Sequence, residues 1–301
     1  MIKQKIHYPF HYHEGITIAR SITKSKVTIN LKELFASHEL VEIDTQILYM
    51  LCQYEYLNAF LIYTLIKQNN VTCNLNFIKH RLVFLGTRGL VQRFQFKYFD
   101  KQKKEHRTPF IYESTYKIKQ LFRKCFKNKL VEDIDTILRQ ISYNQFHILL
   151  EQQLGTCLNY SVMHFDKESD GTYSFYSHGK SVLFYVFSIR YGDNWLVKYS
   201  KRLISCINYI KDTLCSYTGI LVICENEVQG MLAEKYRRSI VKCKDASVYY
   251  LCDSVAMIEN GVLCHLMYVR PEQDYSTYDT IQVVVDGYFV ETKREKDNEI
   301  I

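Results

Sequence analysis

Between Gly86 and Gly89 the apolar residues of this chain change their spacing from three and four to two. Upstream, in "LNFIKHRLVFLGTRG", Ile78, Leu82 and Leu85 recur at i, i+4 and i+7, the stripe of an α-helix. Asn74 can cap that helix, and Gly86 and Gly89 can end it. Asn76, Lys79, His80 and Val83 lie towards its other face. Downstream, in "GLVQRFQFKYF", Phe94, Phe96 and Tyr98 alternate with Arg93, Gln95 and Lys97, which is the period of a strand. A polar, basic tip, "DKQKKEHR", separates it from a returning strand in "TPFIYESTYK".

Two helical stripes precede this switch. "DTQILYMLCQYEY" starts on Asp44 as N-cap and repeats Ile47, Leu48, Leu51 and Cys52. "LNAFLIYTLIKQNN" carries Leu57, Phe60, Leu61, Thr64 and Leu65 and stops at Asn69-Asn70. Three helices followed by a basic-tipped hairpin is the order of a winged helix-turn-helix. In that fold the third helix enters the major groove and the wing meets phosphate or minor groove.

The charge distribution agrees. Residues 1–130 hold 22 Lys/Arg and 9 Asp/Glu, a net +13, whereas residues 131–301 hold 17 and 23, a net −6. Within 75–129 the ratio is 15 to 3. Such segregation points to a polyanion-binding half joined to a half with another task. The helix at 75–88 offers Asn76, Lys79 and His80 to base edges, with Arg81 and Arg88 on the same helix. The wing at 97–107 and its approach offer Arg93, Lys97, Lys101, Lys103, Lys104 and Arg107 to phosphates. One such module reads few base pairs, so a homodimer on two half-sites is expected.

The run "IDTQILYMLCQYEYLNAFLIYTLI…IKHRLVFLGTRGLVQRF…FIYEST" resembles the amino-terminal winged helix of replication-relaxation proteins, found on plasmids and integrative elements. The resemblance rests on "RLVFLGTRGLVQR" and the strand after the wing. It implies a cytoplasmic double-stranded DNA-binding protein of a mobile element. Replication, transfer or transcription control would be its task, with replication or transfer proteins as further partners.

Residues 1–42 form an arm without a clear pattern, and 43–130 would be the winged helix. In "STYKIKQLFRKCFKNKLVEDIDTILRQISYNQFHILLEQQL", Lys117, Lys119, Arg123, Lys124, Lys127 and Lys129 could flank DNA. Ile134, Ile137, Ile141 and Leu149 make residues 131–155 a connector or a dimerisation helix. From 156 to 287, "CLNYSVMHF", "GTYSFYS" and "SVLFYVFSIR" read as strands, with Asp170-Gly171 as a hairpin turn. Helices in "NWLVKYSKRLISCINYIKDTLC" and "EVQGMLAEKYRRSI" alternate with strands "GILVIC" and "SVYYLCD". The whole is therefore expected to be α+β: a winged helix-turn-helix followed by an α/β domain with a mixed, covered sheet. A charged tail, 288–301, follows.

This second half also resembles the carboxy-terminal, restriction-endonuclease-like domain of the same family. The family's two acidic positions would fall on Ser188 and Arg190, and its helix lysine on Lys201, or on Lys198 in another register. Mg²⁺-dependent hydrolysis needs carboxylates at such positions. Ser188 is a poor ligand and Arg190 repels the ion, so the domain is expected to be degenerate and non-catalytic. The alternative is a nuclease in which Asp193 substitutes; a further alternative is a protein-interaction module that does not bind DNA.

Other chemistry finds little support. No G-x-x-x-x-G-K-[ST] or G-x-S-x-G occurs. In "DID" the carboxylates of Asp133 and Asp135 would diverge on a helix. "HYHEG" (His11, His13, Glu14) lacks a further ligand at metal-binding spacing, and no cofactor is implied. The ten cysteines form no C-x-x-C and sit in apolar runs, as buried thiols of a reducing cytosol do. No secretory h-region or run long enough to cross a bilayer is present.

Overall fold

The computed structural model describes residues 11–12, 14–20, 31–37, 39–69, 71–100, 104–107, 109–122, 133–161, 169–210, 217–240, 247–253, 261, 263, 265–270, 277–283 and 285–286. The first half runs β1 (Thr17–Arg20), α1 (Leu31–Ala36), α2 (Glu42–Tyr54), α3 (Ala59–Gln68), α4 (Leu75–Thr87), β2 (Val91–Asp100), β3 (Glu105–Arg107), β4 (Phe110–Ser114) and α5 (Tyr116–Leu121).

Local chemistry sets most of these boundaries. Asn58 and Asn74 cap α3 and α4, each accepting a backbone N–H three residues on at 2.8 Å. Asp44 is not the N-cap of α2: the helix starts two residues earlier, and from its third position the carboxylate accepts the Val41 N–H at 2.9 Å. The orphan donor is satisfied either way, which is why a cap signal misplaces the start. At the end of α4, Gly89 adopts φ +67°, and Leu90 N–H returns to Leu85 C=O at 3.0 Å. Gly86 lies inside the last turn; Gly89 alone supplies the left-handed residue that ends the helix.

Ile78, Leu82 and Leu85 are buried among Leu51, Leu61, Ile62, Phe94 and Phe96. Each such side chain contributes roughly 1.5–3 kcal/mol by leaving water. β2 is the centre of an antiparallel sheet. It pairs with β1 (Thr17↔Lys97 to Arg20↔Phe94), with β4 (Val91↔Ser114 to Gln95↔Phe110) and, at its tip, with β3 (Asp100↔Glu105). The arm thus contributes β1, a strand that no pattern in residues 1–42 announced.

The second half runs α6 (Ile134–Leu154), a 3-10 turn, β5 (Asn159–Ser161), β6 (Gly171–Ser177), β7 (Lys180–Ser188), α7 (Trp195–Ile210), β8 (Tyr217–Cys224), α8 (Glu227–Ile240), β9 (Ser247–Cys252), β10 (Leu266–Tyr268) and β11 (Asp279–Ile281). The strands form one mixed sheet in the order β11-β10-β9-β8-β7-β6-β5, in which β7, β8 and β9 are parallel. Val182, Phe184 and Val186 of β7 join Leu221 and Ile223 of β8 on the α6 side. Leu183, Tyr185 and Phe187 join Ile220 and Val222 on the side of α7 and α8. A sheet covered on both faces explains the uninterrupted apolar runs of these strands. The hairpin turn between β6 and β7 is His178-Gly179, not Asp170-Gly171. Both turn residues have positive φ, as a two-residue hairpin demands, and the Asp286 carboxylate accepts both their N–H groups.

α6 joins the halves. Ile137, Leu138, Ile141 and Ile148 belong to the first core, while Tyr143, Phe146, Leu149, Leu150 and Leu154 belong to the second. Asn144 Nδ2 donates to the Tyr54 and Tyr56 carbonyls, both at 2.8 Å, and Gln140 to Glu55 at 2.8 Å. Every residue from 140 to 150 is buried within this one chain. Along residues 140–150 this helix packs between the two cores and presents no exposed surface.

Candidate nucleic-acid interface and a charged cluster at the strand ends

α4 places Asn76, Lys79, His80, Val83 and Thr87 outward, all exposed, opposite its buried stripe. Arg81 does not join them. Its Nε and Nη2 clasp Asp44 at 2.8 and 2.5 Å, Nη2 also reaches the Glu39 carbonyl at 3.0 Å, and the guanidinium lies 4.3 Å from the Phe84 ring centre. Asp44 is fully buried, so this clasp fixes α4 against α2. Arg88 is exposed but pairs with Glu39 and lies over the same Phe84 ring.

On the hairpin, Arg93 is half-buried, with its guanidinium 4.6 Å from the centre of the Phe110 ring. Lys97 and Lys104 are exposed, and Lys104 takes φ +52° in the turn. Among the described residues neither lysine, nor Lys79, has an ionic partner. Arg107 lies in β3 opposite Tyr98, while Lys101 and Lys103 lie outside the described residues. Of the basic stretch after the hairpin, Lys117 is exposed, Lys119 is buried on Glu113 at 2.5 Å, and 123–129 are outside the described residues. Lys119 is therefore no DNA-flanking residue: its charge is neutralised inside the chain.

A second concentration of charge sits where the parallel strands end. Asp170, just before β6, accepts the Ser188 N–H at 2.9 Å and Arg202 Nη2 at 2.6 Å. Asp253, which follows β9, pairs with Arg190, and both side chains are fully buried. Asp253 also accepts Ser142 Oγ at 3.0 Å and Gln145 Nε2 at 3.4 Å from α6. Glu225, which follows β8, accepts the backbone N–H of Tyr191 at 2.7 Å and of Tyr12 at 3.0 Å. Burial pushes the Glu225 carboxyl up to about 7, against the opposing pull of Arg190 and these two N–H bonds. His11 meets the Asp253 carbonyl at 3.0 Å, and burial lowers its pKa.

The residues that resemblance put at this place are here, but differently engaged. Ser188 Oγ donates to the Arg139 carbonyl at 2.7 Å, and Arg190 is held by Asp253. Lys201 is exposed, Lys198 pairs with Asp135 at 2.8 Å, and Arg202 reaches the cluster instead. Asp193 is exposed. Asp133 caps α6 through Thr136 N–H at 2.7 Å and so stands outside the helix that holds Asp135. Asp170, Arg202, Glu225 and Asp253 escaped the sequence reading. A signal existed: Glu225 and Asp253 each follow directly on an apolar strand, and acidic residues there lie at the carboxyl edge of a parallel sheet, where sites gather. Among the described residues no group of three His, Cys, Asp or Glu side chains is placed to hold a metal ion, and His13 lies outside them. No described helix is long and apolar enough to cross a membrane.

No protein-family model matches the chain, and no curated protein matches it. Among solved structures it is similar to restriction endonuclease FokI, at 11% identity and a TM-score of 0.27. The match covers 73% of this chain and 45% of that one, so the chain spans less than half of that structure's length.

Proposed function

We propose that this chain binds double-stranded DNA through a winged helix built from α2, α3, α4 and the β2–β3 hairpin, as a protein of a mobile genetic element. The observation that carries this reading is the outer face of α4: Asn76, Lys79 and His80 are exposed together, and Arg81, on the same helix, is turned inward as a strut. Asn76, Lys79 and His80 face base edges. Lys97, Lys104 and Arg93 meet phosphates. Arg88 reaches DNA only by leaving Glu39. The resemblance to replication-relaxation proteins supports a role in replication, transfer or transcription control.

The second half serves as a non-catalytic, endonuclease-like platform. Support comes from the two arginine pairs: Arg202 occupies Asp170 and Arg190 occupies Asp253, so two of the carboxylates at the strand ends are already neutralised. A mobility shift with fragments of the encoding element, at two salt concentrations and with competitor DNA, tests the proposal. A fragment retained at high salt upholds specific binding, and its position in the element separates replication from transcription or transfer. Uniform binding that vanishes with salt reduces α4 to a non-specific basic surface. Cleavage that requires Mg²⁺ and is lost in Asp193→Ala would restore the nuclease reading. No shift with any fragment moves the chain to the protein-interaction class.

A further inference from the structure

The outward stripe of α4 is not polar throughout. At 100° per residue, positions 76, 79, 80, 83 and 87 fall within an arc of about 100°. Val83 lies near the middle of it and is 53% exposed. Its neighbour on the stripe, Thr87, turns its hydroxyl back to the Phe84 carbonyl at 2.7 Å, which leaves the methyl group as its outward surface. The amino-terminal part of the stripe thus carries an amide, an ammonium and an imidazole, and the carboxy-terminal part carries branched methyl groups. Val83 is thus an apolar, β-branched contact point amid polar neighbours on the face that would meet a duplex. The major groove supplies one apolar feature that suits it, the C5-methyl group of thymine, and an Asn side chain suits adenine N6 and N7.

We propose, resting on the DNA-binding reading above, that Val83 is a specificity-determining residue that packs on a thymine methyl group, and that Asn76 pairs with an adenine farther along the groove. Residues 76 and 83 are separated by about 10 Å along the helix axis, on the order of three base-pair steps. The substrate class is therefore duplex DNA with A·T pairs at two positions about three steps apart. The exposed lysines on α4 and the hairpin supply the complementary charge for a duplex seated there.

The test uses the full chain. Binding sites are first selected from random-sequence duplexes. The bound sequence is then remade with deoxyuridine in place of thymidine, which removes only the methyl group. Wild type should bind the uracil duplex about fourfold more weakly, the effect of one buried methyl group. Val83→Ala should bind the thymine duplex about fourfold more weakly than wild type and should not distinguish the two duplexes. Val83 is a surface residue, so an unchanged thermal melt will show that the variant folds. Asn76→Ala with 7-deazaadenine in the site gives a second, independent pair. Selected sites without A·T pairs, or a wild type indifferent to the methyl group while it still binds DNA, would overturn the thymine contact and leave the DNA reading intact. No selection and no binding at low salt would overturn both.

Discussion

The outer face of α4 and the carboxyl edge of the β7–β9 strands both concentrate polar and charged side chains, and they treat them in opposite ways. On α4, Lys79 and His80 stand in water, joined on the hairpin by Lys97. At the strand ends Asp170, Arg190, Glu225 and Asp253 are buried, and each is held by a named partner. Exposed charge adds little to stability and remains available to a partner. Buried charge must be matched internally, because an unpaired ion in a low-dielectric interior is costly. The first arrangement suits recognition; the second suits a rigid junction. Arg81 shows the difference within a single helix: two residues from Lys79, it is bound to a buried aspartate and acts as part of the scaffold.

Four measurements would break or sharpen this contrast. The largest effect is expected from Arg190→Met. Leaving Asp253 buried without its cation should lower the unfolding free energy by about 3–5 kcal/mol in a urea titration. The double variant Arg190→Met, Asp253→Leu should recover much of that loss. If the single variant is as stable as wild type, the junction is not held by this pair. Next, Asp44→Ala removes the clasp on Arg81 and should cost roughly 2–3 kcal/mol. Because α4 loses its strut, specific DNA binding should fall more than non-specific binding; equal losses would detach the clasp from recognition.

A smaller effect concerns pH. Glu225 keeps its proton up to about pH 7 in the folded chain, against an ordinary 4.5. The folded state therefore binds more protons between those values, and this contribution to stability is full below about 4.5 and lost as pH rises through 7. His11, whose pKa is lowered by burial, acts in the opposite sense on the acid side of 6.5. The informative quantity is the difference between wild type and Glu225→Gln. The variant's amide nitrogen cannot accept one of the two backbone N–H bonds that Glu225 accepts, which is a pH-independent loss. Beyond that constant, the variant should gain on wild type by on the order of 1–3 kcal/mol between about pH 5 and pH 8. A pH-independent gap would mean that the carboxyl is ionised throughout. The smallest effect is that of Lys97→Ala: no change in the melt, and a log–log salt slope of DNA binding shallower by about 0.9. An unchanged slope would take Lys97 off the phosphate backbone.

How much of this could be read beforehand depended on the range of the interaction. α4 was legible because its cap, its stripe and its terminal glycine are all local. The alternation along β7 and β8 was hidden, since both faces are covered, yet the apolar runs betrayed that cover. β1 was not legible: four residues, "TIAR", become a strand only because β2 offers an edge some eighty residues later. Asp170-Gly171 carries a turn signal, but two residues with positive φ were needed at 178–179, and His178 does not advertise that. The inward turn of Arg81 was half legible. It lies three residues after Ile78 and four before Leu85, at the margin of the buried stripe, although its partner Asp44 is fixed only by tertiary packing. The acidic residues of the strand ends needed the sheet order before they could be brought together.

The arm has a further consequence, for the order in which the molecule is made. β1 can settle on β2 as soon as β2 has been made, some eighty residues on, but Tyr12 and His11 find their partners 213 and 242 positions later. At ribosomal rates of about 5–20 residues per second, that interval is on the order of tens of seconds. During it the first half is assembled with residues 11 and 12 undocked, and α6 has no sheet to lie on. The arm is among the earliest described segments to be synthesised and among the last to be fastened. The arm that completes the small sheet through Thr17–Arg20 thus also ties it to the large one, through Tyr12 on Glu225 and His11 on Asp253.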